Sequence, residues 1–360
     1  MKKYKAVIFA NLNGRKVTPR KIKELKDILS LGEGKLETDI VVTENLSQLE
    51  KAVIDYKNEE INIAGIVGGD GTVMHTRTFI EDIWDQRPTY AFFPLGTMNN
   101  IQRAVGLGGK DSSVKLAKHI VETACTDSVE HYTVPFPSLD VNGYKGFNIG
   151  FGLIPKLLWM YYGHSAKQYR ELEEALQRIL PEDYQGEYER ITGKKQIDFF
   201  DLLSKERGLW GATKAVLRLV KSVKAHTDER YLLHKPLSGE MTFDGEKQTF
   251  PQAPLGAYIS CYEEVNLGLG RFNPQPSPGA RKEEGKFQVV VPYGNPFAML
   301  KQFREVINGE KLTNAVYKYI SELELPAEKF AQVDGEPILA DGFKVCYDGV
   351  TDIITLPVKL

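Results

Sequence analysis

A glycine-rich turn with an acidic residue at its centre is the strongest chemical signal in this sequence. The turn, Gly68-Gly69-Asp70-Gly71-Thr72, follows the apolar run 61–67 and precedes a pattern typical of a helix start. Glycine lets the backbone approach a ligand closely, and N–H groups clustered at a helix N-terminus bind phosphate. Asp70 adds a carboxylate that could engage a divalent ion or orient a phosphate acceptor. The alternative is an ordinary strand-to-helix turn capped by Asp70.

A second glycine turn follows the next apolar run. It reads Pro-Leu-Gly-Thr-Met-Asn-Asn over residues 94–100 and contains Gly96, Thr97 and Asn99. Neighbouring strands of a parallel sheet end at the same edge, so we expect both turns to contact one nucleotide. The alternative for Asn99 and Asn100 is helix capping.

Two common families of phosphate-transferring enzymes are disfavoured by missing motifs. The Gly-Lys pair at 109–110 lacks the leading glycine and the following Ser or Thr of a Walker A loop. The sequence also contains no H-R-D loop and no D-F-G motif, which protein kinases carry.

The first 130 residues alternate short apolar runs with helical patterns, which predicts βαβ units and a mainly parallel, Rossmann-like sheet. The predicted strands are 6–10, 40–43, 61–67 and 90–94, and the predicted helices are 19–31, 46–56 and 112–125. The expected ligand crevice lies at the ends of these strands.

After about residue 131 the pattern changes to short strands separated by Gly and Pro, which predicts a β-sandwich. These strands are expected at 146–151, 239–243, 257–262, 287–291 and 343–347. A charged stretch, about 157–226, has helical periodicity and is interpreted as an insertion. The expected domains are 1–130 with 341–360, an α/β domain whose C-terminal segment returns to the first lobe, and 131–340, a β-sandwich domain.

Composition limits the class of protein. The net charge of −2 gives no overall electrostatic reason to bind nucleic acid. The three cysteines are far apart and form no C-x-x-C pair, which disfavours a disulfide framework or structural zinc and favours a reducing cytoplasm. The N-terminal apolar run, 6–10, is too short for a signal sequence or a membrane span.

Four ordered motifs resemble the catalytic domain of diacylglycerol kinases and sphingoid-base kinases, a family related to NAD kinases. The first turn matches the family's G-G-D-G-T signature, and 94–100 is similar to its P-x-G-T-x-N-D segment. Asn11-Leu12-Asn13-Gly14 stands where the family has N-P-x-S-G. Val333-Asp334-Gly335-Glu336-Pro337 matches its late D-G-E-P motif.

The resemblance implies ATP as the phosphoryl donor, with Mg²⁺. It places nucleotide contacts after the first four strands of the α/β half. The residues concerned are Asn11, Gly14, Thr43, Gly68, Gly69, Asp70, Gly71, Thr72, Val73, Met74, Gly96, Thr97 and Asn99.

The resemblance also implies a catalytic acid–base group in the second half of the chain. Glu336, with Asp334 beside it, matches the position of the base that takes the proton of the acceptor hydroxyl, and Asp70 is the third expected catalytic carboxylate. A positioned carboxylate suits phosphoryl transfer, which depends mainly on alignment and charge neutralisation. Without the other motifs, Asp334-Gly335 predicts a hairpin turn.

A metal-binding turn of the family corresponds to Ala280–Lys286. The implied ligands are the Glu284 carboxylate and the carbonyls of Arg281 and Lys286, which could hold a hard cation such as Mg²⁺. A solvated, charged turn is the alternative. The sequence departs from the family pattern here, at Asn100, which replaces an Asp, and at His75, which replaces a Glu and either contacts the acceptor or packs in the helix.

Two segments of the predicted insertion bear on membrane contact. Residues 211–224 form an amphipathic pattern with one basic face, which fits either an anionic bilayer or a surface helix. The aromatic run 157–162 fits either a lipid cleft or protein core. A lipid acceptor implies a cytoplasmic protein that visits the membrane surface transiently. The oligomeric state stays open, with a homodimer among the options.

The sequence therefore favours an ATP-dependent lipid kinase that phosphorylates the hydroxyl of a diacylglycerol-like or sphingoid-type lipid. A kinase of a soluble acceptor such as NAD is one alternative. A catalytically silent regulator that binds nucleotide or lipid is another.

Overall fold

The computed structural model divides into two compact units, Met1–Phe147 with Asp348–Leu360, and Asn148–Tyr347. The structure describes residues 3–14, 16–32, 34–96, 99–109, 111–128, 132–152, 155, 237, 239–262, 265–266, 271–272, 280–294, 302 and 310–357. The helical insertion expected at about 157–226, with its basic face and aromatic run, lies outside these residues.

Alternating strands and helices build the first unit. The strands are β1 (Tyr4–Asn11), β2 (Leu36–Thr43), β3 (Ile63–Gly68), β4 (Thr89–Pro94), β5 (Thr133–Val141) and β6 (Tyr144–Gly146). The helices are α1 (Pro19–Leu29), α2 (Leu46–Asp55), α3 (Asp70–Ile83), α4 (Asn100–Ala104) and α5 (Ser112–Cys125), with a 3-10 turn at Ser30–Gly32. Strands β2, β1, β3 and β4 pair in that order, and all are parallel.

Local chemistry explains where these elements begin. All six residues of β3 are buried, as expected for the central strand of a sheet covered on both faces. Helix α1 starts where the Thr18 side chain accepts a hydrogen bond from the Lys21 N–H, with Pro19 at the first turn. Asn45 caps α2 in the same way by accepting from Gln48 N–H. These elements confirm the predicted α/β half.

The C-terminal segment completes the first sheet. Strand β19 (Phe343–Ile354) ends in the first unit, where Ile353 pairs in parallel with Tyr90 of β4. The expected return of this segment to the first lobe is confirmed. β19 thereby covers an edge of β4 that would otherwise be open to another strand.

A buried ionic cluster anchors the returning strand. Arg77 of α3 is fully buried and donates two hydrogen bonds to Glu81 Oε1, at 3.0 and 2.8 Å. Asp348 of β19 lies 3.8 Å from the Arg77 guanidinium and 2.8 Å from the Lys145 ammonium. Burial lowers the pKa of Arg77, but Glu81, Tyr90 and Asp348 outweigh it and hold that pKa above its usual value. Helix α3 and strand β19 are therefore joined by ion pairs that are largely shielded from solvent.

Short strands dominate the second unit, and the predicted β-rich half is confirmed. They are β7 (Asn148–Gly152), β8 (Thr242–Phe243), β9 (Glu246–Lys247), β10 (Gly256–Ser260), β11 (Val265–Asn266), β12 (Arg271–Phe272), β13 (Ala280–Arg281), β14 (Lys286–Pro292), β15 (Ala315–Ile320), β16 (Glu322–Leu325), β17 (Phe330–Val333) and β18 (Glu336–Leu339).

One seven-stranded sheet organises this unit. Its strands follow the order β13-β14-β10-β7-β17-β18, and β15 pairs with β14. The β17–β18 hairpin carries the predicted acidic turn, with Val333 paired to Glu336. A second group of strands pairs β16 with β8 and with the first residues of β19. Within the described part of the chain, no helix is long and apolar enough to cross a bilayer.

Candidate functional site

The loops after the four parallel strands of the first unit meet at one edge of the sheet, as the motifs predict. Leu12 N–H, after β1, donates to the Thr43 carbonyl at the end of β2, at 2.9 Å. Leu95 N–H, after β4, donates to the Gly68 carbonyl at the end of β3, at 3.2 Å. Strand order alone produces this convergence, because parallel strands all end on the same side.

Side chains reinforce the convergence of the first and third loops. Asn11 Nδ2 donates to Thr72 Oγ1 at 3.2 Å, so the first loop holds the start of α3. A Cβ on Gly68 would lie 2.5 Å from Thr72 Oγ1, and a Cβ on Gly14 would lie 2.6 Å from Val17 Cγ2. These two positions have no room for a side chain.

The two glycine turns are in direct backbone contact. A Cβ on Gly96 would lie 2.3 Å from the Gly69 Cα, which is far inside any real contact. Asn99 adopts a left-handed conformation at φ 54°, and its Oδ1 accepts from Gly96 N–H at 2.9 Å. The side chain of Asn99 thus shapes the second turn from within, and glycine at 96 is needed for the approach of the two loops.

Asp70 joins the two turns through its carboxylate. Its two oxygens accept from the N–H groups of Asn100 and Ile101, at 3.0 and 3.3 Å, at the start of α4. The N-cap of α3 is Gly69, and no side chain among the described residues caps that helix. Asp70 therefore does not cap its own helix, and the first N–H groups of α3 keep no side-chain acceptor.

Burial changes the protonation of two groups on α3. It raises the pKa of Asp70 to about 6, although the N–H donors of Asn100 and Ile101 and the charge of Arg103 favour the ionised form. Burial also lowers the pKa of His75 to about 4, so this imidazole is neutral near pH 7. A cation beside Asp70 would restore its ionised state.

The remaining residues predicted to contact the nucleotide differ in how much of each is accessible to a ligand. The side chains of Val73 and Met74 are fully buried, so only their backbone is available to a ligand. Thr43 is 3% exposed at the end of β2. Gly71 lies in the first turn of α3. Thr97 lies outside the described residues.

The predicted acidic turn is a two-residue β-hairpin in the second unit. Asp334 and Gly335 both have positive φ, at 48° and 89°, as the Asp-Gly pair of such turns requires. Asp334 is 6% exposed, and its Oδ1 accepts from Asn148 N–H at 2.9 Å while its own N–H donates to the Asn148 carbonyl at 2.8 Å. The hairpin turn predicted from Asp334-Gly335 is therefore present, and the hydrogen bond from Asn148 N–H orients the Asp334 carboxylate. Glu336 begins β18 and is partly exposed.

The charged turn 280–286 is held by its own ion pairs. Glu284 Oε1 lies 3.1 Å from the Arg281 guanidinium, and Oε2 lies 3.5 Å from the Lys286 ammonium. Arg281 also stacks at 4.0 Å on the ring of Tyr319. Within the described residues, no three His, Cys, Asp or Glu side chains converge to hold a metal. The Glu284 carboxylate, the expected side-chain ligand of this turn, is thus paired with two basic side chains that compete with a divalent cation for it.

Asp70 offers a better position for a cation that arrives with a nucleotide. Mg²⁺ is usually held by one or two carboxylates together with substrate phosphates rather than by an all-protein cage. A single carboxylate beside two glycine-rich turns meets the protein's part of this requirement.

Asn148 is the residue that the sequence predictions missed. It lies within an otherwise apolar segment, Phe147–Phe151, which was interpreted only as a strand. A polar amide in such a segment is a signal worth testing, because buried polar side chains are retained where they have partners or ligands.

Comparison with known proteins supports the resemblance. Residues 5–130 match the family model of the diacylglycerol kinase catalytic domain. No curated protein matches the chain. Three solved structures from Bacillus anthracis str. Sterne share its fold. One, titled as a diacylglycerol kinase, is 14% identical with a TM-score of 0.58 and covers 99% of this chain and 98% of its own.

The other two are titled as diacylglycerol kinases on a provisional basis. Each is 15% identical to this chain and covers 99% of it, with TM-scores of 0.60 and 0.62 and with 98% and 99% of their own lengths matched. At this identity they establish the fold. The resemblance to the diacylglycerol kinase catalytic domain is thus confirmed over residues 5–130, the segment that contains both glycine turns.

Proposed function

We propose that this protein is an ATP-dependent lipid kinase that transfers the γ-phosphoryl group to the hydroxyl of a diacylglycerol-like or sphingoid-type lipid. The observation that carries the proposal is the backbone contact between the two glycine turns, which Asp70 stabilises by hydrogen bonds to the start of α4. It brings uncapped N–H groups of α3 and the Gly96 backbone to one edge of the sheet, where the family match also lies.

The first unit would bind the donor. The N-terminus of α3 attracts phosphate through its N–H groups and its dipole. Glycine at 68, 69 and 96 keeps side chains out of this space. Asp70 would face the Mg²⁺ that accompanies the phosphates, and the charge of that cation would hold the carboxylate ionised despite its burial.

The second unit would supply the base. A carboxylate of the acidic turn, Glu336 with Asp334 beside it, takes the proton of the lipid hydroxyl. The oxygen then forms a bond to the γ-phosphorus while the bond to the β-phosphate oxygen breaks and ADP leaves. This chemistry needs alignment and charge neutralisation more than covalent catalysis, so a small number of positioned groups is sufficient.

The test is transfer of label from γ-labelled ATP into lipid extracts with Mg²⁺. Wild-type protein should label a lipid product, and Asp70→Ala and Glu336→Ala should each abolish it. Asp341→Ala is the matched control, because this carboxylate is 91% exposed and pairs only with Lys329 among the described residues. It should retain full activity.

Other outcomes identify the alternatives. Formation of NADP from NAD, without lipid labelling, would show a soluble acceptor. ATP binding by calorimetry, without transfer to any acceptor, would show a silent nucleotide-binding protein. Either result would overturn the proposal.

A further inference from the structure

The chain passes between the two units at two connections, the peptide bonds 147–148 and 347–348. The first-unit residues at both connections contact one side chain, Arg77 of α3. The Arg77 guanidinium carbon lies 4.6 Å from the centre of the Phe147 ring, and its Nη2 lies 3.8 Å from Asp348 Oδ2. One residue of the first unit therefore contacts the chain both where it leaves this unit and where it returns.

Helix α3 and its neighbours hold the same two segments a second time. Thr78 Oγ1 accepts a hydrogen bond from the Lys145 N–H at 2.9 Å, two residues before Phe147. The Lys145 ammonium lies 2.8 Å from Asp348 Oδ1 and so joins the segments that lead to the two connections. Arg77 and Phe147 are fully buried, and the Asp348 side chain is 11% exposed. Both segments are thus fixed by packed contacts that are largely shielded from water.

The same helix carries the first glycine turn. Arg77 follows Asp70 by seven positions, which is about 10 Å along an α-helix. Just beyond the first connection, Asn148 holds the acidic turn: its N–H donates to Asp334 Oδ1 at 2.9 Å, and its carbonyl accepts from Asp334 N–H at 2.8 Å. The glycine turn and the acidic turn are therefore linked through one helix, one buried arginine and the bond 147–148.

Stability alone does not explain the arginine in this cluster. Glu81 accepts two hydrogen bonds from Arg77 and already neutralises it. Arg77 Nη1 is buried without a hydrogen bond to any described residue, which costs free energy. Replacing a whole buried ion pair by apolar side chains is often neutral for stability, and in some proteins such groups instead specify one arrangement. Arginine suits that role, because its planar group stacks on a ring and pairs with carboxylates.

We propose that Arg77 is a positioning residue for phosphoryl transfer. It fixes the directions of both connections, and through the first connection it aligns the acidic turn with the nucleotide at the start of α3. The inference rests on the proposed function and adds to it a residue that touches neither substrate. Phosphoryl transfer depends on alignment, and a displacement of about 1 Å can lower a rate about a hundredfold. Weakening the contacts of Arg77 should therefore slow transfer and leave ATP binding unchanged.

Asp348→Asn is the sharpest test, because it removes a charge and keeps the shape of the side chain. Arg77 keeps Glu81 and Lys145 keeps Asp140, so both cations retain a carboxylate. With saturating Mg²⁺–ATP and dioctanoylglycerol in mixed micelles, the single-turnover rate of phosphoryl transfer should fall about tenfold. The Kd of ATP, measured by calorimetry, should stay within about twofold of the wild-type value.

Asp140→Asn is the matched control for this charge. Asp140 also pairs with Lys145, at 2.7 Å, but within the described residues it makes no ion pair with Arg77. The variant should therefore leave both the transfer rate and the Kd of ATP unchanged.

Phe147→Leu tests the other contact of Arg77. It removes the ring beside the guanidinium and keeps an apolar side chain. Phe9→Leu is its control, because Phe9 is 1% exposed in β1 of the same unit and packs on the rings of Tyr56 and Trp84. Both variants should lower the melting temperature by similar amounts, because each leaves a small cavity. Only Phe147→Leu should slow single-turnover transfer, again about tenfold.

The outcomes separate a positioning role from a purely structural one. If the wild type is active and both test variants transfer phosphate as fast as their controls, Arg77 has no positioning role and the proposed function stands. A parallel loss of ATP affinity and transfer rate would also overturn the positioning role, because it would mean that the start of α3 itself is disturbed. A wild-type protein that transfers no label to any lipid overturns the proposed function and this inference with it.

Discussion

The protonation of Asp70 should make the stability of the protein depend on pH in a direction unusual for a carboxylate. Its folded-state pKa is about 6, against an ordinary value of 3.8. Below pH 3.8 the group is protonated in both the folded and the unfolded state. Between these values the unfolded chain loses the proton first, so the free energy of unfolding falls as pH rises, and above pH 6 the loss is complete. The shift corresponds to about 3 kcal/mol.

Asp70→Asn removes this titration while keeping one oxygen to accept an N–H from Asn100 or Ile101. The free energy of unfolding should be measured by urea titration for both proteins at pH 3.5, 5 and 7. The variant should gain about 3 kcal/mol relative to wild type from the lowest to the highest pH, because the unfavourable buried charge is gone. Comparing two proteins cancels the titration of all other groups.

Asp55→Asn, an exposed change on α2, is the control and should show no such trend. A difference between wild type and Asp70→Asn that stays constant across the three pH values would refute the reasoning. It would mean that the N–H donors at the start of α4 outweigh burial at this carboxylate.

Three further perturbations test the architecture of the site. Gly96→Ala should weaken ATP binding at least tenfold, as measured by calorimetry, because its methyl group would lie 2.3 Å from a backbone carbon of the other turn. Gly109→Ala is the control and should bind ATP normally, because the nearest atom to its methyl group would lie at 3.4 Å. Arg77→Met should lower the free energy of unfolding in urea by about 3 kcal/mol, because it leaves the buried Glu81 carboxylate with only the exposed Arg87 as a cationic partner among the described residues; a loss below 1 kcal/mol would contradict that role for Arg77. Removal of divalent cations with EDTA should leave the melting temperature of the apo protein unchanged, and a large decrease would mean that the turn 280–286 does hold a metal. Glu284→Gln should lower the free energy of unfolding by less than about 1 kcal/mol, as is usual when an exposed ion pair is lost.

Much of the fold could be predicted from sequence periodicity. Helix α5 was predicted at its observed bounds, and the strands before both glycine turns were predicted to within two residues. The apolar runs and their glycine-rich ends are local signals, so short-range reasoning is sufficient for them. The last strand was predicted too short, because Asp348, Gly349 and Asp352 are residue types that are depleted in strands, and their strand state depends on pairing with a distant partner.

The side-chain contacts of the site could not be predicted from local sequence patterns. The glycine turns were predicted to converge, but Asp70 was expected to face a cation, an acceptor or its own helix, and its hydrogen bonds run to residues 100 and 101. That partner is set by the approach of Gly69 to Gly96, which is a tertiary contact. The ionic cluster of Arg77 with Asp348 joins residues far apart in sequence, and no local pattern indicates it.

The late position of β19 in the sequence has a consequence for biosynthesis. Strand β4 is made early, yet its parallel neighbour Ile353 is translated far later. In a ribosome-bound chain, one edge of β4 is therefore unpaired, and the ionic cluster around Arg77 is incomplete until Asp348 has been synthesised. Such an edge is a template for pairing with other chains. Premature termination before β19 should thus yield a product that engages chaperones and aggregates, even though both glycine turns have been synthesised.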